Sequence, residues 1–456
     1  MSVWLPTVSL HSLVIVVSVL AYILTTRAQR ERRPPSIAIA WVLGMIALPY
    51  LVLPMYLMFG RRKLPRKTSA RSGVRSFAGH WAQDLIESFG LPGPSPAAIN
   101  LHRDGRDSAD ALFSVMSSAV SRLDICTYIL GDDAFGHEAM QRMMERARCG
   151  VDVRLLLDGV GAIQLPRVCF KTLQLGGVET AIFSPLFARR TQGPRNLRNH
   201  RKMVIADGAR LWAGGRNLAA EYFCGVAGAP AWRDLTFDLQ GPVAGAAAAQ
   251  FEMDWVAAGG KPASTEVAAV AGTASQSAAS EAQFLPSGPD QSEDTVHALL
   301  IDGCFQARDR MLAVTPYFVP DVSLETAMRL AARRGVRVDL VIPASSNHRL
   351  ADFARNRALR SLSQAGVNIH LMPYMSHAKA VVFDHSLALS GSVNLDSRSL
   401  LLNYECAVVF YGRAEINWLA QWIDAQIPET VPFNGRPPGL LRDLCEGLLL
   451  TVAYQL

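Results

Sequence analysis

Two histidines and two lysines recur in this chain at one spacing. In "NHRKMVIADGARLWAGGRN" the residues His200, Lys202, Asp207, Gly214, Gly215 and Asn217 follow one another, and in "SHAKAVVFDHSLALSGSVN" the residues His377, Lys379, Asp384, Gly391, Ser392 and Asn394 keep the same intervals. One such cluster would pass for a solvated strand face, whereas two copies at one spacing mark a duplicated architecture. Each copy is followed by an acid: "WRDLTFDLQG" places Asp234 seven residues before Gly241, and "NYECAVVFYG" places Glu405 seven residues before Gly412. Two facing sets of imidazole, ammonium, amide and carboxylate suit displacement at a phosphodiester. One imidazole attacks phosphorus and the other protonates the departing alkoxide, while Lys202, Lys379, Asn217, Asn394 and Ser392 hold phosphoryl oxygens or orient the groups that do. The acids fix each ring's tautomer by accepting from its other nitrogen. The chain has no paired-cysteine, HExxH or clustered-carboxylate pattern, so neither a metal nor another cofactor is expected.

The elements that position these groups follow from local pattern. Apolar runs from His200 to Ala206 and from Ala209 to Ala213 flank an Asp-Gly dipeptide, which predicts a hairpin with His200 and Lys202 on one face. Asp207 and Asp384 complete the repeated motif and count among its candidate catalytic residues, although a carboxylate at a tight turn also serves as a turn former. The second hairpin turns on Asp-His, which is tolerable because histidine is among the residues enriched at positive φ. "DICTYILGDDAFGHEAMQRMMERARCGVDVRLLLDG" and "MLAVTPYFVPDVSLETAMRLAARRGVRVDLVIP" each read as strand, helix, strand, with Gly150 and Gly335 ending the helices. The expected organisation is α/β, in four parts. Residues 1–75 form a membrane hairpin with a basic juxtamembrane segment, 76–256 a first half, 257–283 a flexible Ala/Ser/Thr/Gly-rich linker, and 284–456 a second half with an apolar C-terminal segment.

With these residues in view, the doubled HxKx4Dx6G(G/S)xN pattern resembles the phospholipase D superfamily. "TPYFVPD", "WRD", "HAKAVVFD" and "NLDSRSLLLNYE" are similar to its bacterial cardiolipin synthases, over nearly the whole chain. The resemblance implies two pseudo-symmetric halves, each a mixed sheet flanked by helices. It also implies transfer of a phosphatidyl group from one phosphatidylglycerol to the glycerol hydroxyl of another through a phosphatidyl-histidine intermediate. Hydrolysis, or transfer to another alcohol, is the alternative within the superfamily. What it implies for the first motif assigns attack to His200 and proton donation to His377. Glu405 is then expected to favour the charged His377 and Asp234 to orient His200.

Composition supports a membrane setting. Half of the 456 residues are hydrophobic and the mean hydropathy is +0.16, high for a soluble enzyme. Val8 to Leu24 and Ile37 to Phe59 are long enough, or nearly so, to cross a hydrocarbon layer of about 30 Å, which predicts a transmembrane hairpin with its second arm kinked at Pro49 and Pro54; a shallow hairpin that does not span is the alternative. Residues 1–75 hold eleven Lys or Arg against Glu31 alone, a balance of +10 in a chain of net +6, which leaves about −4 for residues 76–456. That excludes a basic body for binding nucleic acid. The basic residues from Arg61 to Arg75 instead meet anionic headgroups, and the expected location is the bacterial inner membrane, multi-pass, with a cytoplasmic catalytic body. Seven cysteines without close pairs read as reduced. "GLLRDLCEGLLLTVAYQL" reads as a core helix or, slightly ahead, an interfacial one. The oligomeric state is open. Because the two histidines, the lysines and the amides supply every charge the displacement needs, turnover should persist in excess chelator; loss of activity restored by one particular divalent ion would overturn this chemistry.

Overall fold

The computed structural model describes residues 4–29, 35–60, 79–185, 196–263 and 280–450. The basic residues at 30–33 and 61–75, and 264–279 of the expected linker, lie outside these.

The two halves share one 15-stranded sheet. From its outer edge the first half runs Glu179–Phe183, Asp152–Asp158, Arg122–Thr127, Met203–Ala206, Arg210–Gly214, Thr236–Gln240 and Ser95–His102. The second half runs Ser280–Ser287, Glu405–Phe410, Leu387–Gly391, Ala380–Phe383, Arg310–Val314, Arg337–Pro343 and Asn368–Met372, and Val431–Pro432 closes its edge. The second order mirrors the first, so a pseudo-two-fold passes between Ser95–His102 and Ser280–Ser287. These two strands pair antiparallel, with Ser95 opposite Ala282, Pro96 opposite Glu281 and Ala97 opposite Ser280. The linker therefore ends earlier than composition suggests. Ser280 to Gln283 carry little large apolar surface, but their backbone is taken up on both sides, by Ser95–His102 and by Glu405–Phe410.

Both expected strand–helix–strand units form. Helix Ala134–Arg148 joins Arg122–Thr127 to Asp152–Asp158, and helix Val322–Arg333 joins Arg310–Val314 to Arg337–Pro343, each connecting parallel neighbours. Asp133 and Asp321 cap these helices by accepting backbone N–H bonds, and Gly150 and Gly335 take φ of 88° and 94° just past their ends. One face of the sheet carries a core common to both halves, where Phe237 and Phe410 meet edge to face at 5.3 Å beneath residues of helices Pro242–Ala257 and Arg413–Asp424. The opposite face holds a separate core for each half. Helix Trp81–Ser88 precedes the first half in sequence, yet it buries Ala82 and Ile86 in the core of the second.

The N-terminal segment forms three helices, Trp4–Gln29, Pro35–Ala47 and Pro49–Phe59. The second apolar stretch, expected as one kinked span, breaks at Leu48, whose φ of −139° and ψ of 59° leave the helical region before Pro49. Its two pieces of 13 and 11 residues are about 20 and 16 Å long. Among the described residues no helix is long and apolar enough to cross a membrane, so the expected spanning hairpin gives way to a small three-helix unit. Tyr22, Met45 and Tyr56 are buried at its centre, and Leu10, Leu13, Leu24, Leu43 and Leu51 are more than half exposed. The C-terminal helix Leu440–Leu450 is docked through Glu446, which is buried and pairs with Arg360 at 2.5 Å and Arg442 at 3.0 Å, while Leu440 and Leu441 face outward. All seven cysteines are free.

Asp207 and Asp384 are turn residues, not members of the site. Asp207, at φ 51°, accepts from the backbone N–H of Val120, Ser121 and Arg122 at 2.8 Å each and from the Ser121 hydroxyl at 2.7 Å. Asp384, at φ 50°, accepts from Arg308, Asp309 and Arg310 N–H at 2.7 to 3.0 Å. Each carboxylate ties a hairpin to the turn that leads into the neighbouring strand. In the second hairpin Asp384, rather than His385, takes the positive φ. Asp384→Ala strips an acceptor from three backbone donors and should cost about 1–3 kcal/mol of stability, with kcat of the folded fraction retained. Denaturation midpoints measured beside kcat check this, and a stably folded but inactive variant would return Asp384 to the chemistry.

Candidate active site

His200 and His377 lie three residues before strands Met203–Ala206 and Ala380–Phe383 begin, and there the chain crosses to the other half. The His200 N–H donates to the Tyr404 carbonyl at 2.8 Å, and the Tyr404 N–H to the Arg198 carbonyl at 2.8 Å. The His377 N–H likewise donates to the Arg233 carbonyl at 2.7 Å, and Arg233 N–H to Met375 at 3.2 Å. These short parallel bridges, Asn199 with Tyr404 and Arg233 with Ser376, place each histidine beside the acid of the opposite half. The expected pairings are therefore exchanged. His200 Nδ1 lies 3.0 and 3.1 Å from the two oxygens of Glu405, and His377 Nδ1 lies 2.9 Å from Asp234 Oδ2. With Nδ1 engaged by a carboxylate, Nε2 is the nitrogen of each ring left for chemistry.

The acids are held differently. Glu405 is buried and also accepts from Ser392 Oγ at 2.5 Å, Ser399 Oγ at 2.6 Å and Asn403 Nδ2 at 3.4 Å. Ser392 is thus an orienting residue for Glu405. Its counterpart Gly215 leaves room for Asp234: a Cβ there would stand 2.1 Å from Asp234 Oδ1. Asp234 accepts in addition from the Leu235 N–H at 2.7 Å. Burial acts to raise both carboxyls, but it is outweighed for Asp234 by His377, Lys379 and Arg216, and for Glu405 by His200, Lys202 and Ser392, so both stay below their ordinary range and ionised.

The lysines fold back on their own motifs. Lys202 Nζ donates to the His200 carbonyl at 2.8 Å. Lys379 Nζ donates to the His377 carbonyl at 2.6 Å and lies 3.0 and 3.1 Å from the two ring nitrogens. Burial lowers Lys202 to about 8 and Lys379 to about 7, with the nearby carboxylates offsetting only part of it. His200 is lowered by burial, against the pull of Glu405. His377 falls to about 3, through burial first and then the Lys379 ammonium, so it is neutral in the empty site rather than charged as expected. Between His200 and Lys202, Arg201 projects the other way: its Nε donates to the Glu405 carbonyl at 2.9 Å and its two terminal nitrogens pair with Asp254 at 2.5 Å and Asp290 at 3.0 Å.

Both imidazoles line one cavity of about 460 Å³, together with Asn217 and Asn394. Asn217 donates to the Tyr222 hydroxyl at 2.8 Å and accepts from the Ile129 N–H at 3.3 Å, and the Asn394 side-chain oxygen is buried without a partner among the described residues. The same wall includes groups that the motif spacing did not single out: Tyr128, whose ring centre lies 5.1 Å from that of His200, Tyr222 at 5.1 Å from His377, and Tyr317, Arg198, His348 and Arg398. Tyr317 lies within the quoted "TPYFVPD", and Arg398 within "NLDSRSLLLNYE"; Arg198 sits two residues before a motif histidine, where only the exchange of bridges gives it a place in the site. Asp132, His137 and Cys169 form a possible metal-ligand group elsewhere on the chain, and none of them lines this cavity.

Comparison with known proteins supplies the family. The family described as "Cardiolipin synthase, PLD-like domain" matches residues 112–255 and 300–427, and the one described as "Phospholipase_D-nuclease N-terminal" matches 14–61. The chain is 29% identical to cardiolipin synthase A of Pseudomonas aeruginosa over 453 residues, 94% of this chain and 92% of that protein. It is 29% identical to the major cardiolipin synthase ClsA of Bacillus subtilis over 410 residues, 84% and 85% of the two. Phosphatidylserine synthase of Haemophilus influenzae shares the fold with a TM-score of 0.62 at 13% identity, over 82% of this chain and 99% of that one. Two copies of the domain, joined through one sheet around one pair of imidazoles, place the chain in the cardiolipin synthase family of the phospholipase D superfamily.

Proposed function

We propose that the protein is a cardiolipin synthase, which transfers a phosphatidyl group from one phosphatidylglycerol to a second and releases glycerol. The observation that carries this reading is the exchanged pair of dyads: two imidazoles in one cavity, each with Nδ1 held by a carboxylate of the other half. In the first displacement His200 Nε2 attacks phosphorus while His377 gives a proton to the departing glycerol oxygen. The neutral state of His377 in the empty site is answered by the substrate. A phosphodiester anion draws Lys379 toward its own oxygens, relieves the like-charge repulsion on the ring, and adds a negative charge that favours the imidazolium beside Asp234. In the second displacement His377 takes the proton of the acceptor hydroxyl, and that oxygen replaces His200 on phosphorus. Lys202, Lys379, Asn217 and Asn394 serve the phosphoryl oxygens as charge develops.

The exposed leucines of the N-terminal helices suit contact with lipid, and the basic residues from Arg61 to Arg75 suit an anionic bilayer surface. The reading therefore includes attachment to the bacterial inner membrane through this segment, with the catalytic body on the cytoplasmic side and phosphatidylglycerol drawn from the same surface. Purified enzyme given labelled phosphatidylglycerol in vesicles should yield cardiolipin and glycerol. Phosphatidic acid as the sole product would make it a hydrolase.

The roles of the histidines are separable by trapping. With a substrate carrying a good leaving group, His377→Ala should accumulate a phosphatidyl adduct on residue 200, and His200→Ala none. Glu405→Gln should slow adduct formation by about 10²–10⁴-fold, because the attacking ring loses its orienting carboxylate. An adduct on residue 377 would reverse the roles, and with them the step that each acid serves.

The depressed lysines set the pH profile. As pH rises through about 7 to 8, Lys379 and then Lys202 lose their charge in the free enzyme, so kcat/KM should fall there, well below the range of an ordinary lysine near 10.4. In the substrate complex the bound anion holds both ammonium groups charged, so the corresponding fall in kcat should lie at higher pH. Coincident falls in kcat and kcat/KM would show that neither lysine meets the phosphate.

A further inference from the structure

The cavity lined by the two imidazoles is also lined by groups that displacement at a single phosphorus does not use. Arg198, from the first half, is buried, and Arg398, from the second, is half-buried. Arg398 Nη2 donates to the backbone carbonyl of Asn196 at 2.9 Å. Arg198 donates to the Ser184 carbonyl and hydroxyl at 3.0 and 2.9 Å and lies 3.5 Å from Asp158. Asn196 itself is 6% exposed, and neither its side-chain oxygen nor its nitrogen has a partner among the described residues. The Asn403 side-chain oxygen, on the same wall, is orphaned in the same way.

Buried amides without partners are costly and mark a place where something else binds. Electrostatics point the same way. Burial holds the Arg398 guanidinium below its ordinary range; Asp396 offsets part of this, and Arg198, a like charge close by, adds to it. An anion placed between the two arginines offsets both the burial and the repulsion. Guanidinium groups and an amide N–H are the donors that suit phosphate oxygens, and amide oxygens suit hydroxyls.

The chemistry of the reaction supplies the anion. The two phosphates of the product are one glycerol apart, so the acceptor's own phosphate must come to rest close to the phosphorus under attack. Water or a simple alcohol brings no such group. We propose that Arg198, Arg398 and Asn196 form a second phosphate subsite, which holds the phosphate of the acceptor phosphatidylglycerol while its glycerol hydroxyl attacks. This deepens the phosphatidyl transfer proposed above and rests on it. In that step the P–N bond to His200 breaks with its electron pair returning to the ring, a P–O bond forms to the acceptor hydroxyl oxygen, and the hydroxyl proton passes to His377. The subsite takes no part in bond making; it selects an acceptor that already carries a phosphodiester.

The test compares two acceptors in one membrane preparation of the full-length enzyme. Labelled glycerol exchanged into phosphatidylglycerol reports the displacements with an acceptor that lacks phosphate, and cardiolipin formed reports those with one that has it. For Arg398→Gln the ratio of cardiolipin formed to glycerol exchanged should fall at least tenfold, with a raised KM for phosphatidylglycerol as acceptor. Asn196→Asp, which sets a carboxylate against the incoming phosphate and removes no bond from the fold, should lower the same ratio and guards against a folding defect in the arginine variant. Equal loss of both reactions in both variants, or an unchanged ratio in both, overturns the subsite while the synthase reading stands. A wild-type enzyme that exchanges glycerol but forms no cardiolipin overturns the synthase reading itself and the subsite with it.

Discussion

The site depends on a carboxylate crossing from one half of the molecule to the imidazole of the other. A neutral imidazole with Nδ1–H bound to a carboxylate presents Nε2 in one fixed direction, and neither half supplies that arrangement alone. His200 needs Glu405, and His377 needs Asp234. Much of the rest serves this exchange. The continuous sheet sets the halves side by side, the bridges at Tyr404 and Arg233 bring the acids across, and Arg201, fully buried, binds the Glu405 backbone as well as carboxylates at Asp254 and Asp290. Buried ion pairs of this kind are a poor source of net stability, because desolvation takes back most of the Coulombic gain. Their effect here is positional: they fix which oxygen meets which nitrogen.

That arrangement leaves the cations of the empty site weakly held. Two buried lysines stand against two ionised carboxylates, and burial has pulled both lysines and both histidines toward their neutral forms. In the mechanism proposed above a phosphodiester anion favours their charged forms, so substrate binding and activation of the acid histidine become one event. The aromatic rings of Tyr128, Tyr222 and Trp232 pack around the imidazoles, with ring centres 5.1 to 5.9 Å from theirs.

Much of this was legible in the sequence, and the failures have physical causes. The repeat, the His, Lys and Asn positions, the two acids and the strand–helix–strand units follow from spacing alone, because each is a local pattern repeated. The exchange of acids is not local: each half contains a histidine followed by an acid, so spacing favours the internal pairing, and only the backbone bridges decide otherwise. Asp207 and Asp384 recur as faithfully as the histidines because a hairpin turn that must accept three backbone N–H bonds constrains a sequence as tightly as chemistry does. Ser280 to Gln283 lacked an apolar signature because a strand paired on both sides is specified by its neighbours' register. In the second apolar stretch the prolines were legible as a kink, but hydropathy does not register that the backbone leaves the helix altogether at Leu48.

The antiparallel contact between Ser95–His102 and Ser280–Ser287 has a bearing on ancestry. The two strands are equivalent members of the two halves, and they meet in the only sense that a two-fold axis permits. A parent chain of one half could therefore self-associate through that edge as an isologous dimer, and both of its dyads would be complete by symmetry, each copy lending its acid to the other. Fusion of two such copies conserves the architecture and releases each position from its twin. The present chain carries the marks of that freedom: Arg201 against Ala378, Gly215 against Ser392, and Asp234 against Glu405. A symmetric ancestor must treat its two alcohols alike; a fused descendant can assign one side of the phosphorus to departure and load the other with groups that recognise what arrives.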